Sequence, residues 1–284
     1  MKTLLAFVRK PNESEEFLRY VAGMGVNLGA KVNVQFVHTP ENYTVGMADT
    51  SGYLSMQVKQ DMDKLVETSK ETLQQYAQSI NQEISADVFI ETSAQLGLPG
   101  DVAEDLVKKK LVDMVVLHGE KDSGFWFQSS GNMDVIEKVN CPVWVIPEGA
   151  EYKPYTEIVY ATDYNREDVK SLKRLIATFP HYSPNITAFH VTDSVDFEER
   201  VKKAGFEEML RNQIDYEPLL VRAVYQTRND NLTELLNEYT LKSKADLLVL
   251  LKENKSFLKH IFNKSKTKSI VKSTQLPVLI YHEQ

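Results

Sequence analysis

The sequence predicts an α/β protein built from two tandem domains, each with a doubly wound parallel sheet of five strands. Three observations lead to this prediction. The chain has 284 residues, which suits two domains of about 100–200 residues each. Short β-rich apolar runs alternate with helical patterns along the whole chain, as in parallel βαβ units. The second half also repeats landmarks of the first half in the same order.

The internal repeat is visible at two places in each half. Asp113 and Asp246 each precede an apolar run, and Pro142 and Pro277 each open a second, closing apolar run. The two pairs of landmarks recur at nearly the same spacing. This agreement indicates that one domain was duplicated with a small change in length.

The elements follow from hydrophobic periodicity and turn residues. The first half predicts strands at 3–8, 31–37, 87–92, 114–118 and 143–146, and helices at 13–28, 58–81, 101–110 and 132–138. The second half predicts strands at 157–161, 186–191, 219–225, 247–251 and 278–281, and helices at 167–178, 195–216, 232–241 and 261–273. Asp101 and Asn231 are predicted as helix N-caps.

The domain boundary is predicted at a polar segment between two prolines. Domain 1 covers 1–147, domain 2 covers 155–284, and residues 148–154 form the linker. In domain 1, helix 58–81 is predicted to bury a single apolar stripe, formed by Val58, Met62, Leu65, Val66, Leu73, Tyr76, Ala77 and Ile80.

Composition and charge exclude several classes of protein. The net charge of −7 argues against a nucleic-acid partner, which requires a basic face. Apolar runs are too short to span a membrane or to form a secretion signal. The single cysteine, Cys141, lies in an apolar run, which predicts a buried thiol and a reducing, cytoplasmic location. The dispersed histidines predict no metal site.

Several segments resemble the universal stress protein family. Residues 161–165 (Ala-Thr-Asp-Tyr-Asn) resemble the family's Thr-Asp-Phe-Ser turn after the first strand, and residues 98–103 lie where the family starts a helix with Gly-Asp-Pro-Ala. The two repeated landmarks resemble its fourth and fifth strands. The resemblance covers almost the whole chain and implies tandem Rossmann-like domains of the adenine-nucleotide α-hydrolase type, with a stress-response role exercised through binding.

The resemblance also implies where a nucleotide would bind. Many family members hold ATP with a loop after strand four that reads Gly, two residues, Gly, nine residues, then Gly-Ser or Gly-Thr. In the first half, placing Gly131 and Asn132 at the Gly-Ser position leaves His118 and Lys121 at the other two glycine positions. Moving the alignment by two residues restores Gly119 but not the full pattern.

The second half departs further from this signature. Leu251, Asn254 and Lys264 stand at the three glycine positions, and only Ser265 remains of the signature. Asp163 is kept after the first strand of this half. The remnant binding positions are therefore Gly119, Gly131, Asn132, Asp163 and Ser265, and both loops are predicted to be degenerate.

Each remnant position has a structural alternative. Asp163 either contacts a ligand at the carboxyl edge of the sheet or braces the turn before the next helix. Gly131 and Asn132 form either a remnant anion site or an ordinary helix start. The structural alternative is the preferred interpretation in both cases.

The sequence and the resemblance together predict a non-catalytic binding or regulatory module with no required cofactor. One alternative is an ATP-binding stress regulator that uses the 119–132 loop of domain 1, and another is a nucleotide-hydrolysing enzyme of the same wider fold group. An apolar ligand is left open. The expected partners are the second domain, paired within the chain through strands 143–146 and 278–281, a second copy in a homodimer, and proteins of unknown identity.

Overall fold

The computed structural model describes residues 2–39, 52–84, 89–119, 130–192, 194, 196–226, 232–252 and 276–283. Contacts divide these residues into two compact units. The first unit contains the described residues up to His118, with Ser130–Cys141 and Glu148–Tyr152. The second unit contains Gly119, Pro142–Pro147 and the described residues from Lys153 onward.

The first unit is a parallel sheet with helices. Its strands are β1 (Lys2–Val8), β2 (Ala30–His38), β3 (Ile90–Leu96) and β4 (Met114–His118), and its helices are α1 (Glu15–Leu28), α2 (Gly52–Glu83), α3 (Pro99–Lys108) and α4 (Ser130–Lys138). The strand order is β3-β2-β1-β4, and every pair is parallel. The doubly wound α/β fold predicted for this half is confirmed.

The second unit contains six strands. They are β5 (Val143–Ile146), β6 (Glu157–Ala161), β7 (Asn185–Thr192), β8 (Leu219–Tyr225), β9 (Leu247–Lys252) and β10 (Val278–His282), and the described helices are α5 (Arg166–Thr178), α6 (Phe197–Gln213) and α7 (Leu232–Lys242). The strand order is β5-β10-β9-β6-β7-β8. All of these pairs are parallel except β5 with β10, which is antiparallel.

Strand β5 belongs to the second unit, although it lies within the predicted domain 1. Val143 lies opposite Ile280 and Val145 opposite Val278, so the two predicted fifth strands pair with each other. The contact-based division therefore groups 142–147 with the second unit, whereas the prediction along the chain placed it in domain 1. The two divisions differ because the contacts follow strand pairing and the prediction followed chain order.

The central strands of each sheet form the cores. Leu4, Leu5 and Ala6 of β1 and Leu247 and Val249 of β9 have no exposed surface. A strand covered on both faces buries successive residues, which explains the continuous apolar runs in the sequence. The outer strands β3 and β8 are only partly buried.

The aspartates of the repeat have the same structural task in both units. Asp113 accepts a hydrogen bond from the backbone N–H of Thr3 at 2.8 Å. Asp246 accepts from the N–H of Thr156 at 2.8 Å, from its hydroxyl at 2.9 Å and from the N–H of Glu157 at 3.2 Å. Each carboxylate thus ties the start of the first strand of its half to the fourth, so the repeated aspartate has a structural role.

One local prediction is wrong and another holds in part. Helix α3 begins at Pro99 with Leu98 as its N-cap, because proline suits the first helical position and has no N–H to satisfy. Asp101 therefore lies in the first turn and is not the cap. The predicted stripe of α2 is buried at Leu73, Ala77 and Ile80, whereas Leu65 is 41% exposed.

Some predictions lie outside the described residues, namely helix 261–273 and the N-cap at Asn231. Among the helices that are described, none is both long enough and apolar enough to cross a membrane. Cys141 is a free cysteine and is buried, as predicted.

Candidate functional site

Ligands of parallel α/β sheets bind beyond the carboxyl ends of the strands. In the first unit this edge carries His118 at the end of β4, with Asn132 in the first turn of α4. In the second unit it carries Asp163 after β6 and His190 near the end of β7. The units are considered separately below.

In the first unit, His118 is held between a ring and an amide. Its imidazole stacks on Phe17 of α1, with ring centroids 4.8 Å apart and planes inclined by 17°. Its carbonyl accepts a hydrogen bond from the Asn132 amide at 3.1 Å. Burial, and next the charge of Arg9, lower the pKa of His118, which favours the neutral ring that stacks on an apolar neighbour.

Asn132 therefore links the end of β4 to the start of α4. Its side chain is only 7% exposed and at least one of its amide hydrogens points to a carbonyl of its own unit. This arrangement agrees with the structural interpretation of Asn132, in which the residue secures a helix start.

The two glycines of the predicted loop differ in their surroundings. The N–H of Gly119 donates to the carbonyl of Ile146 at 2.7 Å, a partner in the same unit. Gly131 is an exposed residue in the first turn of α4, and a Cβ atom built there would meet nothing within 4 Å. Close packing therefore does not require a glycine at 131, and the N–H of Gly119 is already used within the fold.

In the second unit, the turn after β6 is organised around a buried carboxylate. Oδ2 of Asp168 accepts from the N–H groups of Asp163 (3.1 Å) and Asn165 (2.9 Å). It also accepts from the hydroxyl of Thr162 at 2.8 Å, and Oδ1 accepts from that of Tyr160 at 2.8 Å. The sequence-based prediction assigned the bracing of this turn to Asp163, whereas the carboxylate that accepts these four bonds is that of Asp168.

The position just after β6 points to Asp163, so no role was predicted from the sequence for Asp168. A usable signal was present, since Asn165 and Asp168 form a capping box at the start of α5. Asp168 is 1% exposed. Burial raises the pKa of Asp168, against the opposing effect of the four donors.

Beside this turn, three rings close the end of β7. His190 is flanked by Tyr164, whose ring centroid is 4.2 Å away, and Tyr164 in turn lies 5.1 Å from Phe206. Tyr164 has φ of 61°, a left-handed conformation that is uncommon for a bulky residue. All three side chains are buried, so the chain's own rings fill the space next to Asp163.

His190 is also fixed by polar contacts. Its Nδ1 lies 2.6 Å from the carbonyl of Thr162, which can only accept, so Nδ1 carries the proton. Its Nε2 lies 3.1 Å from a carboxylate oxygen of Glu199 in α6. The histidine thus connects β6, β7 and α6 at the predicted ligand edge.

The structure does not describe Ser265, so this remnant position lies outside the described residues. Among the other predicted site residues, Asn132 is hydrogen-bonded to the end of β4, and Asp163 lies in a turn whose N–H groups donate to Asp168. Where side chains are described, no three of His, Cys, Asp or Glu come together in a way that could hold a metal ion.

Comparison with solved structures identifies the architecture. A universal stress protein from Archaeoglobus fulgidus DSM 4304 aligns over 99% of this chain and 96% of its own, with a TM-score of 0.61 and 12% identity. The chain has the universal stress protein fold. A proposed universal stress protein from Pseudomonas aeruginosa UCBPP-PA14 aligns over 99% of this chain and 93% of its own, with a TM-score of 0.58 and 12% identity.

A domain of a different kind of protein also aligns with almost the whole chain. The cytoplasmic domain of a prokaryotic cation chloride cotransporter aligns over 98% of this chain and 94% of its own, with a TM-score of 0.50 and 10% identity. No protein-family model and no curated protein matches the chain. At these identities the likeness concerns the fold, and the fold alone does not assign a function.

Proposed function

We propose that this chain is a tandem universal stress protein that acts by binding, without turnover, and that its two nucleotide loops are degenerate. The observation that carries this proposal is the carboxylate of Asp168. It accepts the backbone N–H groups of Asp163 and Asn165 at the ligand edge of the second unit. An anionic ligand would need such donors, and here an internal anion already uses them.

The same carboxylate argues against the enzyme alternative. The nucleotide hydrolases of the wider fold group are expected to hold phosphate with the loop after the first strand. In the second unit of this chain, that loop donates its N–H groups to Asp168 in the first turn of α5, and the negative charge of this carboxylate would oppose a phosphate group. The proposed protein therefore binds a partner or ligand without hydrolysing a nucleotide.

Hydrogen bonds at the two ends of the 119–132 loop support the proposal. In the first unit the amide of Asn132 donates to the carbonyl of His118, and in the second unit the N–H of Gly119 donates to the carbonyl of Ile146. Phe17 covers one face of the His118 ring. A phosphate-binding loop presents free N–H groups and leaves space for the phosphate. The hydrogen bonds to carbonyls reduce the number of free donors, and the ring of Phe17 occupies space beside His118.

The alternative of an ATP-binding regulator rests on one observation. Gly131 lies in the first turn of α4 with open space where its Cβ would be, so an anion could approach this helix start. We keep this alternative for the first unit only. A reducing cytoplasmic location belongs to the main proposal, and the single buried cysteine supports it.

The deciding experiment is a thermal-unfolding titration with ATP and magnesium, combined with a phosphate-release assay. A ligand that binds only the folded state adds about 2.7 kcal/mol of stability at a concentration 100 times its dissociation constant. We expect no shift at millimolar ATP and no phosphate release. A shift that Gly131→Val abolishes would establish the ATP-binding regulator, and phosphate release would establish the enzyme.

A further inference from the structure

Strand β8 forms one edge of the sheet in the second unit. It pairs with β7 on one side only. The carbonyl of Pro218 and the N–H of Gln226 bond to β7, and alternate residues of a parallel strand bond to the same neighbour. The N–H and C=O groups of Val221, Ala223 and Tyr225 therefore point away from the sheet.

This edge is apolar and open. Leu220 is 55% exposed and Tyr225 is 51% exposed. Between β8 and α6 runs an open groove of about 470 Å³, whose apolar lining comes from Leu210, Ile214, Leu219, Leu220 and Val221. Exposed edges with apolar side chains are templates for another strand, and proteins usually cover or charge them.

The charges along the groove are mainly positive. Arg211 and Arg222 line it together with a single acid, Glu207. Glu207 lies 3.7 Å from Lys203, so a cation already neutralises it. Within the described part of the chain, Arg222 contacts no carboxylate, and the exposed Asp215 and Glu217 before β8 do not line the groove.

We propose that β8 binds an extended segment of a partner protein by strand addition, and that this segment carries both acidic and apolar residues on the face that meets the groove. The outward N–H and C=O groups would pair with its backbone. Successive side chains of a strand point to opposite faces, so these residues would occupy every second position of the segment. The apolar ones would enter the groove, and the carboxylates would meet Arg211 and Arg222, which line it. This inference goes beyond the proposed function, because it names the surface and the chemistry of the partner.

The charges favour such a segment over a second copy of the chain. Two β8 strands paired about a two-fold axis would bring Arg222 close to its own counterpart, and like charges across a strand pair are unfavourable. A free fatty acid would satisfy the arginines and the groove but would leave the outward N–H groups unpaired. An acidic, apolar strand satisfies all three features.

The test uses the full chain and a fluorescent peptide as long as the seven-residue β8, in which every second residue is in turn valine or glutamate and the residues between them are threonine. Binding is followed by fluorescence anisotropy. Ala223→Pro removes one outward N–H without touching the bonds to β7, and proline is tolerated at such positions. Losing one hydrogen bond of about 1.4 kcal/mol weakens affinity about tenfold, and Arg222→Glu should weaken it at least as much.

The free edge of the first unit supplies a matched control. Among the described strands, β3 pairs only with β2, and the bonds of Phe89 and Gly97 to β2 place the N–H of Ala94 outward by the same alternation. Ala94→Pro should leave peptide affinity unchanged. A peptide methylated on alternate backbone nitrogens should fail to bind the wild-type chain, a result that does not depend on how the variants fold.

Three outcomes would overturn the inference. The first is equal affinity of the Ala94→Pro and Ala223→Pro variants for the peptide. The second is equal binding of a peptide in which lysine replaces glutamate. The third is a dimer in analytical ultracentrifugation that Ala223→Pro dissociates, since it would make a second copy the occupant of the edge.

Discussion

Replacing Asp168 with alanine should destabilise the second unit strongly. The substitution removes the acceptor for the N–H groups of Asp163 and Asn165 and for the hydroxyls of Thr162 and Tyr160. The hydroxyls can rotate towards other acceptors, but the two backbone donors cannot. At about 1–3 kcal/mol for each buried donor left without a partner, we expect a loss of about 3–5 kcal/mol.

The variant Asp168→Asn separates hydrogen bonding from charge. Its amide oxygen can take the place of Oδ2 and keep three of the four donors, while its NH₂ group faces the hydroxyl of Tyr160, which can accept. Removing the charge also removes the cost of burying a carboxylate, and this burial is what raises the pKa of Asp168. The expected loss is therefore about 1 kcal/mol.

Both variants are measured by urea unfolding of the full chain, with Asp105→Ala as the control. Asp105 contacts Lys109 at 2.7 Å in an exposed pair, and such pairs contribute about 0.2–1 kcal/mol or less. Equal losses for the alanine and asparagine variants of Asp168 would show that charge matters and hydrogen bonding does not. A loss below about 1 kcal/mol for Asp168→Ala would refute the reasoning altogether.

Three further predictions concern glycine packing, the repeated aspartates and a buried phenol. Gly131→Ala should be neutral or raise the free energy of unfolding by up to about 1 kcal/mol. Gly100→Ala should gain less, because its Cβ would displace the flexible carboxylate of Asp134 on α4 and the end of Lys138; a larger gain for Gly100→Ala in urea unfolding would contradict this packing. Asp246→Ala should lower the free energy of unfolding by about 2–3 kcal/mol and Asp113→Ala by about 1 kcal/mol. Three donors lose their acceptor in the first variant and one in the second. Similar losses in denaturant titrations would contradict this difference in hydrogen bonding. Burial raises the pKa of Tyr281 from 10.0 to about 12, so the unfolded chain ionises first and the free energy of unfolding should fall as pH rises through this range. Tyr281→Phe should reduce that slope by up to about 1.4 kcal/mol per pH unit, and an unchanged slope would show that this phenol does not contribute.

Most of the fold could be predicted because parallel sheets mark their strands clearly. The apolar runs of β4 and β8 were predicted with the bounds that the structure shows, since short strands between turn residues leave little choice. Strand β3 was predicted to end at Thr92, whereas its pairing with β2 extends to Leu96, through residues that are polar or small. Pairing partners come from tertiary contacts, which no local pattern contains.

The site was less predictable for a related reason. Asp163 was singled out by its position after a strand, but the bonds in that turn converge on Asp168, one helical turn further along. The left-handed conformation of Tyr164 and its contact with His190 depend on residues that are distant in sequence. Asn132 was found, and its partner turned out to be a carbonyl of its own unit.

The antiparallel pairing of β5 with β10 has a consequence for how this chain could evolve or be divided. Residues 155–284 resemble a separable module, yet they carry five of the six strands described in the second unit, because β5 precedes the linker. Division at the polar linker would leave β10 with a bare edge. A fragment that begins after the linker would therefore expose the strand edge that β5 covers.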